Sequence, residues 1–230
     1  MQDESIRLFP LALVAGLLPA LTIHLCYLIG ASLGQIEWCL PYVQNCTSIS
    51  ATGRPSPGFF VFKGLMIPAA VVLAAYWLLF DRWLRHQGCR RYRLCRLIPA
   101  LGVLASAGLV LYTTLLGSIK EVYDFERRVG IVMFFGFTYL AELLATYLLD
   151  STPPIRDRFA GTIRLMLAIV AGTLALGLFH VATLALGRTV QERWEDPIEW
   201  SFALLLCLQV LVTARLWRET DYRLMLDSRR

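Results

Sequence analysis

The sequence predicts an all-α, polytopic membrane protein: a six-transmembrane-helix bundle with both termini cytoplasmic. Six apolar stretches fill the chain, each close to the ~20 residues a helix needs to cross a ~30 Å hydrocarbon layer. None of them alternates with the period of two that a barrel strand requires, so helices are the way to satisfy the backbone amides in lipid. Basic residues concentrate in alternate intervals between the stretches.

The stretches cover approximately 9–33, 59–80, 97–116, 129–149, 165–186 and 198–216. The first follows Asp3 and Glu4, is too long for a signal-peptide core and lacks a small-x-small cleavage site, so it counts as a span. The longest interval, from Gly34 to Gly58, shows no helix or strand period. With 57% hydrophobic and 17% charged residues, the chain has little left over for a soluble domain, and 1–230 reads as a single membrane domain. Pro19, Pro68 and Pro99 bend or begin spans. Gly30 and Gly34 form a GxxxG pattern, whose ordinary meaning is close helix packing, within the bundle or with a helix partner or second copy.

Cytoplasmic segments retain positive charge, and this sets the orientation. Arg7, the six arginines from Arg82 to Arg96, Arg156, Arg158, Arg164, Arg215, Arg218, Arg223, Arg229 and Arg230 make fifteen on one side. Arg54, Lys63, Lys120, Arg127, Arg128, Arg188 and Arg193 make seven on the other. The net charge of +5 lines short interhelical segments instead of one exposed face. The partners it implies are therefore membrane lipids and not nucleic acid, at ~1 kcal/mol per basic residue near an anionic surface. The cluster at Arg82–Arg96 reads as a topology signal or as a specific anionic-lipid site.

Of six cysteines, Cys39 and Cys46 share the first outer loop, the compartment where disulfides persist, and either form a bridge or stand as two free thiols. Cys26 and Cys207 lie in spans. Cys89 and Cys95 lie in a cytoplasmic loop without further ligands at metal spacing. No metal or other cofactor is expected. Asn45-Cys46-Thr47 satisfies the glycosylation pattern on the translocated side. Arginine outnumbers lysine 20 to 2, pointing to a GC-rich, bacterial genome in which that pattern would go unused. The host membrane is the inner membrane of a bacterium, or a Golgi, lysosomal or plasma membrane in a eukaryote.

An ionisable residue inside hydrocarbon costs ~2.5–3.5 kcal/mol or more unless it finds a partner or a wet cavity. Glu142 is the clearest case, with Thr138 and Thr146 one turn to either side and Tyr139 three residues back on one polar stripe. It reads as helix-to-helix glue or as part of a cavity or lipid head-group site. His24 and His180 lie ~13 Å and ~9 Å below the outer ends of their spans at ~1.5 Å per residue, within reach of one another. Three histidines, one in a loop, are too few for a haem pair across a bundle. There is no phosphate-binding glycine loop, no GxSxG elbow and no HExxH.

The outer loops carry a resemblance. Cys39-Leu40-Pro41-Tyr42, then Ser48-Ile49-Ser50-Ala51-Thr52-Gly53, then Pro55 and Pro57 before an aromatic-led span, resemble the first luminal loop of the FRAG/DRAM/SFK family. That family includes a post-GPI-attachment lipid-remodelling protein and the damage-regulated autophagy modulators. The likeness continues in Tyr92–Leu97, Leu140–Thr146 and Ile198-Glu199-Trp200. It implies six helices, cytoplasmic ends and a role in lipid remodelling or membrane homeostasis, with no active site to carry over. Where relatives often place a histidine beside an acid at the start of span four, this chain has Glu126, Arg127 and Arg128, and Glu142 stands where the lipid-remodelling relative has a histidine.

Two readings follow. In the first, a non-catalytic protein binds or organises lipid, with Ser48–Gly53 capping the outer mouth above polar space lined by Glu142, Glu199 and Tyr139. In the second, a lipid-modifying enzyme uses His24, His180 and an acid from Glu37, Glu126 or Glu199, brought within ~3 Å of the reacting atoms. A channel or transporter would need a continuous polar path past Glu142.

Overall fold

The computed structural model describes residues 5–117 and 123–225. Lys120, Arg229, Arg230 and the acidic Asp3 and Glu4 therefore lie outside the described residues. Six long apolar helices carry the fold: α1 (Phe9–Ser32), α3 (Gly58–His86), α4 (Tyr92–Leu115), α5 (Asp124–Asp150), α7 (Ala160–Leu186) and α8 (Arg188–Glu219). Two short helices, α2 (Ile49–Thr52) and α6 (Pro153–Arg158), sit in connections, and strands β1 (Ser5–Arg7) and β2 (Arg223–Met225) flank the bundle.

Several helices outrun the apolar stretches that mark them. The second continues to His86, and the sixth begins at Arg188, ten residues before its apolar part. Hydropathy reports only the stretch suited to hydrocarbon, whereas the backbone ladder continues wherever residues are good helix formers. The helix ends are local. Pro10 occupies the first turn of α1, where a missing N–H is harmless. Gly34 (φ +68°) and Gly88 (φ +97°) follow α1 and α3 in the left-handed region that glycine enters freely. Asp124 and Glu126 lie in the first turn of α5, where the helix dipole favours acid.

The pairing β1 to β2 was not legible as a strand signal. It is antiparallel, with Ile6 opposite Leu224, and the Leu8 N–H donates to the Tyr222 carbonyl at 3.0 Å. Both ends of the described chain therefore meet on one face of the bundle. In the turn before β2, the Arg223 guanidinium holds the Asp221 carboxyl below its ordinary value.

The helices form a ring in the order α1, α3, α4, α5, α7, α8 and back to α1. Glycines set its tightest contact: a Cβ on Gly108 would stand 2.7 Å from the Gly130 carbonyl oxygen, and one on Gly130 would stand 2.7 Å from the Tyr112 nitrogen. So α4 and α5 touch backbone to backbone. The GxxxG pair of α1 serves otherwise, since Gly30 makes room for Ile36 of its own following loop and Gly34 turns the chain. On the face that holds the termini, Tyr76, Trp77, Phe80, Trp83, Trp217 and Tyr222 interlock edge to face or tilted. Trp83 Nε1 donates to Thr220 Oγ1 at 3.0 Å. The ring is loosest where α5 meets α7, and α7 exposes Leu174, Leu178, Val181 and Leu184 outward.

Candidate functional site

The loop between α1 and α3 folds into a cap. Cys39 and Cys46 are bridged, and the Tyr27 hydroxyl donates to the Cys39 carbonyl at 2.6 Å while accepting from the Cys39 N–H at 2.8 Å. Buried Pro41 lies in the turn between the two cysteines. Ser48 caps α2 by accepting from the Ala51 N–H, and its hydroxyl meets that of Ser50 at 3.0 Å. Gly53 is required by space: a Cβ there would stand 2.8 Å from the Phe62 ring and 2.9 Å from Leu116. The Pro55 carbonyl accepts from Phe59 and so opens the first turn of α3.

Trp200 of α8 fastens this cap to the bundle. Fully buried, it donates through Nε1 to the Thr47 carbonyl at 2.9 Å and packs edge-on against His24, Tyr27 and Tyr42. The Asn45 side chain is also used here, accepting from the Asp196 N–H at 3.2 Å. His24 has both nitrogens occupied. Nδ1 lies 2.7 Å from the Ala20 carbonyl, which can only accept, so Nδ1 carries the proton and Nε2 accepts from the Tyr42 hydroxyl at 2.7 Å. Burial pushes the Tyr42 phenol above its ordinary value. His24 is a structural residue of the cap.

Beside the cap, on the face opposite the termini, a cavity of about 430 Å³ opens between α5, α7 and α8. Its rim carries Arg54, Arg127, Arg128, Glu195 and Glu199, with His180 and Ser50. Its wall is apolar, made by Ile131, Phe135, Ile198 and Phe202. Gly177 lines it too, and a Cβ there would meet only Phe202 at 3.8 Å. Arg54 reaches Ser50 Oγ at 3.3 Å, and Arg127 pairs with Asp124 at 2.8 Å. Glu199 lies against the Ile49 backbone N–H. A smaller hollow of about 50 Å³ shares Tyr112, Ile131, Phe135 and Glu199 with the main cavity and runs inward past Phe62 and Leu206 to Cys207. The buried Tyr112 hydroxyl faces Ser50 without closing a hydrogen bond of normal geometry, and His180 Nδ1 has no partner among the described residues.

Of the residues singled out in the sequence, Ser50, His180 and Glu199 meet in this cavity. His24 and Tyr42 bond each other in the cap and do not line it. Glu142, Thr138, Tyr139 and Thr146 line neither hollow. Glu142 and Thr146 belong to a polar core between α5 and α8: Gln209 Nε2 donates to Thr146 Oγ1 at 2.7 Å, and Thr146 Oγ1 donates to the Glu142 carbonyl at 2.8 Å. The Thr138 and Tyr139 hydroxyls, in contrast, have no partner among the described residues, and the Tyr139 ring meets Phe202 at 6.4 Å. Glu142 is 2% exposed, and its Oε1 and the Gln209 Oε1 have no hydrogen-bond partner among the described residues. Gln209 and Thr213, one turn apart on α8, were missed in the sequence, although their spacing is that of a helix face. Arg54 was read only as a charge setting orientation, and Arg127 and Arg128 as such charges and as a departure from the histidine and acid that relatives often place there. Nothing in their local pattern announces that they converge. Cys89 and Cys95 stand buried with their sulfurs 2.7 Å apart on the face of the termini.

The Glu142 side chain contributes shape more than charge to this core, because no cation pairs with it among the described residues. Glu142→Gln keeps the shape and removes the formal charge. It is expected to leave the thermal midpoint in detergent within a few degrees of wild type, a change of ~1 kcal/mol or less. A fall of ten degrees or more in a thermal melt would show that the core depends on the carboxylate itself.

A family model described as the Frag1/DRAM/Sfk1/Cwh43P N-terminal domain matches residues 7–215, which takes in the cap, the cavity, the first five long helices and α8 as far as Arg215. Neither a search of curated proteins nor one of solved structures gives a significant match. The match covers the residues that carried the resemblance in the outer loops and in the third, fourth and sixth spans, and the chain belongs to the Frag1/DRAM/Sfk1 family.

Proposed function

We propose that this integral membrane protein binds a membrane lipid by its head group in the cavity beside the cap, and that it serves lipid organisation or remodelling in its membrane. The observation that carries this reading is the pairing, in one hollow, of an arginine rim with a phenylalanine wall, beside the loosest seam of the helix ring. A polar head and an apolar tail match those two surfaces. Its volume lies within the ~300–1,000 Å³ common for small-molecule sites. The arginine distribution turns the termini towards the cytoplasm, so the cavity faces the outer or luminal leaflet and lipid enters sideways between α5 and α7. The enzyme reading draws less support, since His24, one of its two histidines, is occupied in the cap.

A lipid with a photoactivatable group at the base of its acyl chain, incorporated with the reconstituted protein, tests this. Labelling is expected on peptides containing Ile131–Phe135 and Phe202. Gly177→Leu, which extends into the hollow, is expected to lower that labelling about tenfold with an unchanged melting midpoint. Label spread evenly over the outward leucines of α7 and indifferent to Gly177→Leu would overturn the proposal.

A further inference from the structure

The rim of the cavity carries both signs of charge. Arg54 comes from the cap, Arg128 from the start of α5, and Glu195 and Glu199 from successive turns of α8. Arg54, Arg128 and Glu195 are exposed and Glu199 is half-buried, and opposite charges gathered this closely at a protein surface often close into ion pairs. Here they do not: among the described residues none of these four side chains forms an ion pair, although Arg127 beside them does, with Asp124. The acids and arginines of the rim thus stand beyond ion-pair contact, although Arg54 is near enough to act on the Glu199 carboxyl. The unpartnered Tyr112 hydroxyl, 4% exposed, lines the same cavity.

From this we infer that the head group carries both an anionic phosphodiester and a primary ammonium, as in phosphatidylethanolamine. The inference rests on the lipid-binding reading above and names its ligand class. Arg54 and Arg128 supply forked N–H donors that suit phosphate oxygens. Glu195 and Glu199, stacked one helical turn apart, accept the N–H groups of an ammonium. A quaternary choline has no N–H to give and is bulkier. A glycerol head has no positive charge, and leaves the two glutamates facing a phosphate. The apolar wall of Ile131, Phe135 and Phe202 takes the first methylenes of the tails, so the lipid is preferred over its water-soluble head group.

Native mass spectrometry tests the assignment on the full chain, equilibrated in nanodiscs holding equal amounts of phosphatidylethanolamine, phosphatidylcholine and phosphatidylglycerol. Retention of phosphatidylethanolamine is expected to exceed that of each competitor by roughly tenfold, the ratio set by one or two charge-assisted hydrogen bonds. The double variant Glu195→Gln/Glu199→Gln is expected to erase that preference while still retaining phospholipid, and Glu195→Asp/Glu199→Asp to keep it. Arg54→Ala/Arg128→Ala is expected to lower retention of all three lipids. Each variant is compared at a melting midpoint matching the parent, and soluble glycerophosphoethanolamine is expected not to displace the lipid. Retention without preference, preference for phosphatidylglycerol, a preference that survives the glutamine variant, or displacement by the soluble head group would each overturn the head-group assignment while leaving a ligand-binding cavity standing. No phospholipid retained by the parent, with no change in the arginine variant, would remove the lipid-binding reading as well.

Discussion

Trp200→Ala is expected to destabilise the protein by about 3 kcal/mol or more, within the range for removing a buried tryptophan, and to loosen the cap with it. Trp200 is fully buried, and three partners lean on it: His24, Tyr27 and Tyr42. Truncation also strands the Thr47 carbonyl, which accepts from Nε1 at 2.9 Å, and a buried acceptor left without a donor adds ~1–3 kcal/mol. Thr47 leads directly into Ser48 and α2, so the loss loosens the segment that delivers Ser50 and Arg54 to the cavity rim. Thermal melting in detergent, followed by intrinsic fluorescence, measures the first effect. Protease sensitivity of the loop between α1 and α3 measures the second. A variant that melts within two degrees of wild type with an equally protected loop would mean that the cap is held by its other fastenings, the Cys39–Cys46 bridge, Tyr27, Tyr42 on His24 and Asn45 on Asp196.

Gly130→Val is expected to have the larger effect on assembly of the bundle. The Cβ of any residue at 130 meets the Tyr112 nitrogen at 2.7 Å and the Gly108 carbonyl oxygen at 2.8 Å. These are backbone atoms of α4, which cannot swing aside as a side chain would. Overpacking commonly costs ~1–3 kcal/mol, and at a backbone contact about 3 kcal/mol or more is expected. Between helices in lipid, association depends on such close packing because the tails are as apolar as the side chains. Gly130 lies two residues from Arg128 and one from Ile131, so separating α4 from α5 also displaces one wall of the cavity. Loss of the monodisperse folded fraction on size exclusion is the readout. Gly136→Val, on the same helix with open space around it, should behave like wild type. Equal behaviour of the two variants would show that the α4–α5 contact is not what holds α5 in place.

The six helices were legible because hydrocarbon imposes one rule on every residue of a span, and a run of ~20 apolar residues reports it without help from distant parts of the chain. The family resemblance was legible for a similar reason. The cap is built from short local devices, such as the Ser48 cap on α2 and the close approach at Gly53, and local devices leave short local motifs. Glu142 illustrates where this stops. Its position inside hydrocarbon and its polar stripe were plain, yet whether that stripe faced a cavity depended on α8, whose Gln209 bonds Thr146 and closes this part of it into a core.

By itself the sequence determined the class of protein, its span count, the loop bearing its family motif and the cysteines able to meet outside the membrane. Only the tertiary structure decided which charged residues share a space. Arg54, Arg128, Glu195 and Glu199 come from three segments separated by tens of residues, and His180 from a fourth. The physical reason is that hydropathy acts residue by residue along the chain, whereas a binding cavity is a property of the gaps between helices. Those gaps are fixed by contacts such as Gly108 against Gly130, and by the light packing of α5 on α7.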